Sequence, residues 1–370
     1  MTMNPMRVGV VGAGIISEIY LTNMIRRFDN LEVAAIGSAH MDSARRRAGQ
    51  FGIEARTFDD MLSDPAIEMI VNLTPTPAHE DIIRRSLLAG KHVYTEKTLT
   101  GDHGSAEDLL HLAREKGLRL GSAPDTFLGA ALQTARKAID DGLLGTVNSF
   151  AIAANRDNRL LTPFYRFLNL PKGGVGYDYA VYHLTALVNL LGPVRQAAAS
   201  VRTPYPTHID KNPAFPTFGQ PIPTPNESQI MGILKLQSGA AGTIHFNNDS
   251  AMADQALFAI YGTGGILWIP DPNTFGGAVT FLPAGKDFED RPQPRVLPCP
   301  FDFGDNSRGL GPAEMAAAIR ANRPCRASAD MACHVLEVID ALVESGEKNA
   351  FIDIRSTCQR PRPLNGIDLG

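Results

Sequence analysis

The chain has 370 residues, 44% of them hydrophobic and 20% charged, with a formal net charge of −4. That length favours two domains, each able to bury a core of its own. Nothing in this charge balance argues for a polyanion partner, and the run Arg45–Arg46–Arg47 is too short for a nucleic-acid patch; by itself it reads as a solvated helix face.

The N-terminal stretch RVGVVGAGIISEIY opens with a buried-strand pattern at Val8, Val10 and Val11, turns at Gly12 and Gly14, and continues with helical periodicity from Ile15 to Met24. This is the G-x-G-x-x-[small] dinucleotide pattern, with Ser17 in the place of the third glycine. The first glycine permits a tight turn and the second lets backbone approach a pyrophosphate. The N–H groups at the start of the helix, around Ile15 and Ile16, face that anion. Further strand and helix pairs follow: LEVAAIGS with SARRRAGQFG, MIVNLTPTPAHEDIIRRSLLAG with its helix closed by Gly90, KHVYTEK with GSAEDLLHLAREKG, and a last strand in LRLGSAPD. Alternation at this spacing predicts a doubly wound parallel sheet over residues 1–125, an α/β Rossmann domain. Ligands of such sheets bind beyond the carboxyl ends of the strands, which places Thr74, Pro75, Glu96 and Lys97 at the cofactor edge.

The end of the second strand distinguishes NAD from NADP. An acid there accepts hydrogen bonds from the ribose 2′-hydroxyl and repels a 2′-phosphate. This chain has Ser38, then His40 and the three arginines, with Asp42 between them. A small hydroxyl among basic neighbours suits the 2′-phosphate better, so the expectation is NADP over NAD.

From Thr126 the pattern changes. FLGAALQTARKAIDDGLLG is an amphipathic helix, VNSFAIAANR begins strand-like sequence, and a loop rich in Arg, Pro and Phe leads into GGVGYDYAVYHLTAL. Two hairpins are predicted, turning at Ser238–Gly239 and at Gly262 to Gly265. The proline-dense stretch 203–227 reads as a long ordered arm. SADMACHVLEVIDALVESG is a late helix with Ser328 as its N-cap. Strands in series predict an α+β domain over 126–370 with a large, mostly antiparallel open sheet. No apolar stretch is long enough to cross a bilayer as a helix, so no membrane span is expected. The N-terminus runs into a strand without signal-peptide features. Cys299, Cys325, Cys333 and Cys358 have no CxxC spacing; reduced thiols in a cytoplasmic protein, without a metal site, are the simplest account.

Taken together, GVVGAGIIS, TPTPAHE, VYTEKTL and KGGVGYDYAVYH resemble the Gfo/Idh/MocA family, whose members include glucose–fructose oxidoreductase and inositol dehydrogenase. The resemblance covers essentially the whole chain, and APDTFLGAALQTARKAIDDG with LTALVNLLGPV resembles a poorly characterised branch. It implies a Rossmann domain joined to an open-sheet domain often used for oligomer contacts, here a homodimer or homotetramer. It also implies NAD(P)-dependent redox chemistry on a sugar, sugar derivative or cyclic polyol. His79 resembles a motif histidine of the family near the cofactor, although a structural role in its turn fits as well. Two departures stand out. Thr98 replaces the proline of the family's Glu-Lys-Pro triplet, and Lys172 replaces the first glycine of its second-domain motif. Counting from Asp178, the family's histidine falls on Tyr182, and His183 is one residue too late.

Periodicity points the same way. Val181, Leu184, Leu187, Val188 and Leu191 form an apolar stripe; Asp178, Tyr182, Thr185 and Asn189 form a polar one. His183 falls on a half-apolar face, where histidines are usually packed residues. Tyr182 is therefore expected to carry the proton, with Lys97, from the first domain, polarising the substrate oxygen or favouring the phenolate. The rival is Lys97 as acid/base with Tyr182 a substrate contact, or His183 as the proton carrier. Asp178 either holds a substrate hydroxyl or serves as a helix N-terminal acid. Asn155, Arg156 and Arg159 precede the motif in a loop able to line a pocket. The leading expectation is an oxidoreductase acting on CH–OH groups of a small carbohydrate or polyol. Redox-assisted glycoside cleavage and an inactive dinucleotide-binding sensor are the alternatives.

Overall fold

The computed structural model describes residues 4–161, 166–251 and 257–364. The chain folds into two compact units. The first holds residues up to 129, then 302–333 and the segment from 361; the second holds 130–301 and 334–360. A single boundary after residue 125 therefore does not describe the chain, which returns to the first unit twice.

The first unit carries a six-stranded parallel sheet of order β3-β2-β1-β4-β5-β6. Its strands are β1 (Met6–Val11), β2 (Leu31–Gly37), β3 (Glu54–Ala55), β4 (Met69–Asn72), β5 (His92–Thr95) and β6 (Leu120–Ser122). The helices between them are α1 (Ile16–Arg26), α2 (Met41–Phe51), α3 (Phe58–Ser63), α4 (His79–Leu88) and α5 (His103–Glu115). Val8, Val10, Ile70, Val71 and Val93 are fully buried, because helices cover both faces of a parallel sheet. Strand order reverses between β1 and β4, the crevice where such sheets bind ligands. The short β3 and α3 were not anticipated, although Thr57-Phe-Asp-Asp60 is a capping box. Thr57 Oγ1 accepts the Asp60 N–H at 3.2 Å, and the Asp60 carboxylate accepts the Thr57 N–H at 3.3 Å.

In the second unit, α6 (Ala130–Asp140), β7 (Val147–Asn155) and the short α7 (Asn158–Leu161) precede α8 (Val181–Leu191). Strands β8 (Val194–Arg202), β9 (Thr207–Ile209), β10 (Pro221–Pro223), β11 (Gln229–Leu236) and β12 (Ala241–Asn247) follow, then β13 (Leu257–Gly262), β14 (Gly265–Trp268), β15 (Thr280–Pro283) and β16 (Arg295–Val296). With the late strand β17 (Ile352–Asp353) they build a nine-stranded sheet of order β16-β15-β14-β13-β7-β12-β11-β8-β17. Every pairing is antiparallel except β7 with β12. Both predicted hairpins form, as β11–β12 and β13–β14. The proline-dense arm carries the separate ribbon β9–β10, too proline-rich to read as strand from sequence.

Two late helices, α9 (Leu310–Arg320) and α10 (Ala329–Lys348), follow the first return of the chain. Ser328 caps α10 as expected, its hydroxyl oxygen accepting the Met331 N–H at 3.3 Å. Within the first unit, α9 is tied down by Arg320, which grips both oxygens of Glu68 at 2.6 Å. No described helix is long and apolar enough to cross a membrane.

Candidate active site

The glycine turn sits where β1 feeds α1. Gly12 has φ +114°, and a Cβ there would lie 2.6 Å from the carbonyl of Leu73 at the end of β4. Its N–H donates to the Gly37 carbonyl at 2.8 Å, so three strand ends meet around one residue. Gly14 is the opposite case: a Cβ there would meet nothing within 4 Å. Its backbone lies open beside the N-terminus of α1, which no side chain caps. Ile15, 74% exposed, flanks the opening, and Ile16 begins the helix. Ser17 is fully buried and donates from its hydroxyl to the Gly14 carbonyl at 2.6 Å, which explains a serine in the third glycine position. An uncapped helix end beneath open backbone fits a pyrophosphate.

Ser38 follows β2 and is half-buried; its oxygen accepts the His40 N–H at 3.4 Å. The arginine run is not simply a solvated face. Arg45 pairs with Asp42 at 2.8 Å, and Arg47 reaches across to Glu18 of α1 at 2.8 Å while donating to the Gly14 carbonyl at 3.3 Å. Arg47 thus braces the glycine loop.

At the ends of β4 and β5 the expected cofactor edge is built from a polar network. Asn72 donates to the Thr95 hydroxyl at 3.0 Å and accepts from the Thr74 hydroxyl at 2.7 Å and its N–H at 3.2 Å. Pro75 is exposed beside it. His79 is completely buried. Its Nδ1 lies 2.7 Å from the Thr98 carbonyl oxygen and its Nε2 2.8 Å from that of Thr74. The structure therefore puts His79 beneath the loops, as a brace, and not on their ligand-facing side. Burial holds its pKa below the ordinary value, against the pull of the surrounding carbonyls. Glu96 accepts the Tyr20 hydroxyl at 2.7 Å and the Lys97 N–H at 3.0 Å, which fixes both its oxygens. Glu96 and Lys97 are half-buried, between buried Thr95 and buried Thr98. The Lys97–Thr98 peptide is cis.

Asp125 was not singled out from the sequence, although an acid just past the last strand of such a sheet lies at the ligand edge. Its Oδ2 accepts the Gly309 N–H at 3.2 Å and the Gly311 N–H at 2.9 Å, at the start of α9. Burial pushes its pKa up to about 6 against those two donors.

In the second unit the motif helix begins differently from the expectation. Gly176–Ala180 form a π-turn, with the Val181 N–H bonded to the Gly176 carbonyl, and α8 starts only after it. Counting from Asp178 to Tyr182 along a regular helix assumes the ordinary α-helical pitch and does not hold through this wider turn. The polar stripe dissolves with it: Thr185 and Asn189 are buried, the Asn189 carbonyl accepting from Arg136 at 3.0 Å and from Arg360 at 3.0 Å. Within α8 only Tyr182 and the terminal Leu191 escape burial. His183 is fully buried, its ring 5.0 Å from that of Tyr179 and 5.2 Å from that of Phe246 on β12. Its Nε2 has no hydrogen-bond partner among the described residues, and burial pushes its pKa down. That is a packed aromatic position.

Asp178 is buried and accepts from Arg156 at 2.6 Å. The same guanidinium lies 4.5 Å from the Tyr179 ring centroid, and the Tyr179 hydroxyl donates to Asp271 at 2.9 Å. Arg159 is held by Asp157 at 2.6 Å. These loop arginines are thus engaged by carboxylates, while Asn155 ends β7 half-buried. Residues 162–165 of the loop expected to line a pocket lie outside the described residues. Glu227 is the other residue the sequence did not reveal. Its backbone carbonyl accepts the Val175 N–H at 3.0 Å and its carboxylate the Gly176 N–H at 3.3 Å. A Cβ on Gly174 would overlap that carboxylate, so this motif glycine makes room for a side chain of its own unit. Lys172, with φ +63°, donates to the Tyr177 hydroxyl at 2.8 Å and to Asp340 at 3.0 Å, which accounts for its departure from glycine.

A doubly wound parallel sheet with an open glycine turn after β1, and a glutamate and lysine after β5, define a Rossmann-type dinucleotide-binding fold. Residues 6–123 match the oxidoreductase family with an NAD-binding Rossmann fold, and residues 132–268 match the GFO/IDH/MocA C-terminal domain; the chain belongs to the Gfo/Idh/MocA family. It is 23% identical over 199 residues to scyllo-inositol 2-dehydrogenase (NADP(+)) of Bacillus subtilis, covering 54% of this chain and 55% of that one. It is 34% identical over 152 residues to the dTDP-3,4-didehydro-2,6-dideoxy-alpha-D-glucose 3-reductase of Actinomadura kijaniata, covering 40% of this chain and 45% of that one. The matched region thus spans about half the length of these curated relatives. Among solved structures, levoglucosan dehydrogenase in complex with NADH and L-sorbose has the same fold, at a TM-score of 0.82 and 19% identity over 96% of this chain and 100% of that one.

Proposed function

We propose that this chain is an NAD(P)-dependent oxidoreductase that moves a hydride between a nicotinamide and a CH–OH carbon of a sugar, sugar derivative or cyclic polyol. The observation that carries the reading is the open backbone at Gly14 over the uncapped N-terminus of α1, at the switch point between β1 and β4. The bound nicotinamide would supply the hydride acceptor or donor. The chain's own task is then to hold the alcohol and to move the proton on its oxygen. Tyr182, half-buried on a helix that is otherwise almost entirely buried, is the proton carrier, and Lys97 is the cation that polarises the oxygen or favours the phenolate. Relatives whose names specify inositol and deoxysugar substrates support the class of substrate. A panel of levoglucosan, L-sorbose, myo-inositol and scyllo-inositol with each cofactor, read by absorbance of the reduced nicotinamide, tests it. No turnover on any of them, with tight cofactor binding, would select the inactive-sensor reading instead.

The finer cofactor assignment is NADP. No carboxylate follows β2 at Ser38, and Asp42, the nearest acid, is engaged by Arg45. Fluorescence titration is expected to give tighter binding of NADPH than of NADH; the reverse order overturns the assignment. The chain is also proposed to form a homodimer or homotetramer through its nine-stranded sheet. Alternate strand residues there, Ala151, Ala153, Ile233 and Ile266, are apolar and only half-buried or exposed. Light scattering tests this, and a monomer at micromolar concentration removes it.

A further inference from the structure

Resting on the reading of Lys97 as catalytic, we propose that His79 and Thr98 are positioning residues that together fix the turn carrying Lys97. Position 98, where the resemblance expects a proline, is held in this chain by hydrogen bonds.

Thr98 follows Lys97 directly, and it is held at two points. Its carbonyl oxygen lies 2.7 Å from His79 Nδ1, and its hydroxyl donates to the Thr100 carbonyl at 2.8 Å. The chain of bonds continues: the Thr100 hydroxyl donates to the Asp102 carbonyl at 2.6 Å, and the Asp102 carboxylate caps α5 by accepting the Ser105 N–H at 2.9 Å. Thr98 is thereby anchored to the start of a helix of 13 residues. On the other side, His79 Nε2 lies 2.8 Å from the Thr74 carbonyl, Thr74 is bonded to Asn72, and Asn72 to Thr95. The segment Thr95 to Thr98 is bracketed by these two routes, and within it only Glu96 and Lys97 are not buried.

The physical need is plain. A lysine is a point charge on a flexible four-carbon stem, and its usefulness to a reacting oxygen depends on where the stem starts. Glu96, held by Tyr20 and by the Lys97 N–H, fixes the residue before. Thr98 fixes the residue after. At 4% exposure, Thr98 has little water to replace a lost partner, so removing its hydroxyl leaves the Thr100 carbonyl short of a donor.

The test reads the amine itself. Reductive ¹³C-dimethylation of the full chain gives one methyl resonance per lysine, and Lys97→Met identifies the one at issue. Thr98→Val, nearly isosteric but without the hydroxyl, is expected to move the Lys97 resonance toward the unstructured-lysine position and to narrow it. His79→Gln, whose amide does not reach the Nδ1 position beside the Thr98 carbonyl, is expected to do the same. Thr98→Ser restores the hydroxyl and returns the resonance. Far-ultraviolet circular dichroism and a single cooperative thermal transition, expected in all three, show that the chain remains folded. A wild-type Lys97 resonance in both Thr98→Val and His79→Gln overturns the proposal, and His79→Gln decides alone if Thr98→Val does not fold. Failure of the catalytic reading looks different: Lys97→Met would keep its turnover on the alcohol the panel identifies, or the panel would show none, while the resonance still decides the positioning.

Discussion

Tyr182 and His183 are neighbours in the chain and opposites in circumstance. Tyr182 is half-buried; His183 fills an aromatic cluster with a neutral ring. Tyr182→Phe is accordingly expected to lower kcat about 100-fold or more with an unchanged melting temperature, measured by steady-state kinetics and calorimetry. His183→Ala should instead cost roughly 2–4 kcal/mol of stability through the cavity it leaves, measured by urea unfolding. Burial lowers the pKa of both His183 and His79, so the unfolded chain takes up protons that the folded chain refuses. Their contribution is intact above the unfolded value near 6.5 and is lost as pH falls below it. Asp125 has the opposite sign. Its folded pKa of about 6 lies above the unfolded value, so stability falls as pH rises from about 4 to about 6, and the penalty is complete beyond that. Asp125→Asn keeps an oxygen for the two glycine N–H groups. Relative to the parent it should gain about 1 kcal/mol between about pH 5 and pH 8, since one pKa unit is worth about 1.4 kcal/mol; a pH-independent difference in urea unfolding would contradict this.

The two glycine motifs look alike in sequence and serve different needs. Gly12 is required because three strand ends crowd it and its φ is positive; Gly12→Ala should abolish binding of NADH and NADPH alike in a fluorescence titration. Gly14 is required by what is absent around it. Gly174 is required by Glu227, a residue of a distant loop that no spacing rule links to it. Gly174→Ala should lower the melting temperature by several degrees, and Glu227→Ala in the same chain should recover most of the loss. If the double variant is no more stable than the single one, Glu227 is not the cause. The π-turn was equally hidden. Sequence periodicity reports a helix of one pitch, and the extra residue at Gly176–Ala180 follows from packing: Val175 and Gly176 are bonded to Glu227, and Gly176 abuts Ile339 of α10. By contrast, both hairpins and the Ser328 cap were legible, because their signals lie within a few residues of one another.

The first unit is not completed by the N-terminal stretch of the chain alone. Asp125 depends on Gly309 and Gly311, Glu68 on Arg320, and the Asn30 side chain donates to the Ala313 carbonyl at 2.8 Å. A chain ended after Phe301 leaves Asp125 buried without its two donors, or exposes the apolar surface that α9 covers. It is expected to lose binding of the reduced nicotinamide dinucleotide and cooperative unfolding, where a self-sufficient N-terminal domain would keep both. The return was unreadable in advance because 302–333 carries no linker signature and its partners lie far upstream, on the other side of the second unit's sequence.

Local chemistry was enough to identify the alternating strands and helices, the Gly12–Gly14 turn, the Glu96–Lys97 edge and the family they indicate, since each is encoded by residues close in sequence. Which polar side chains stay available for chemistry was settled by folding. Arg156 is matched to Asp178 at a separation of 22 residues, Lys172 to Asp340 at 168 and Asp125 to Gly311 at 186. Such pairings depend on distances in space that no pattern in the chain records, and burial then fixes their charge states.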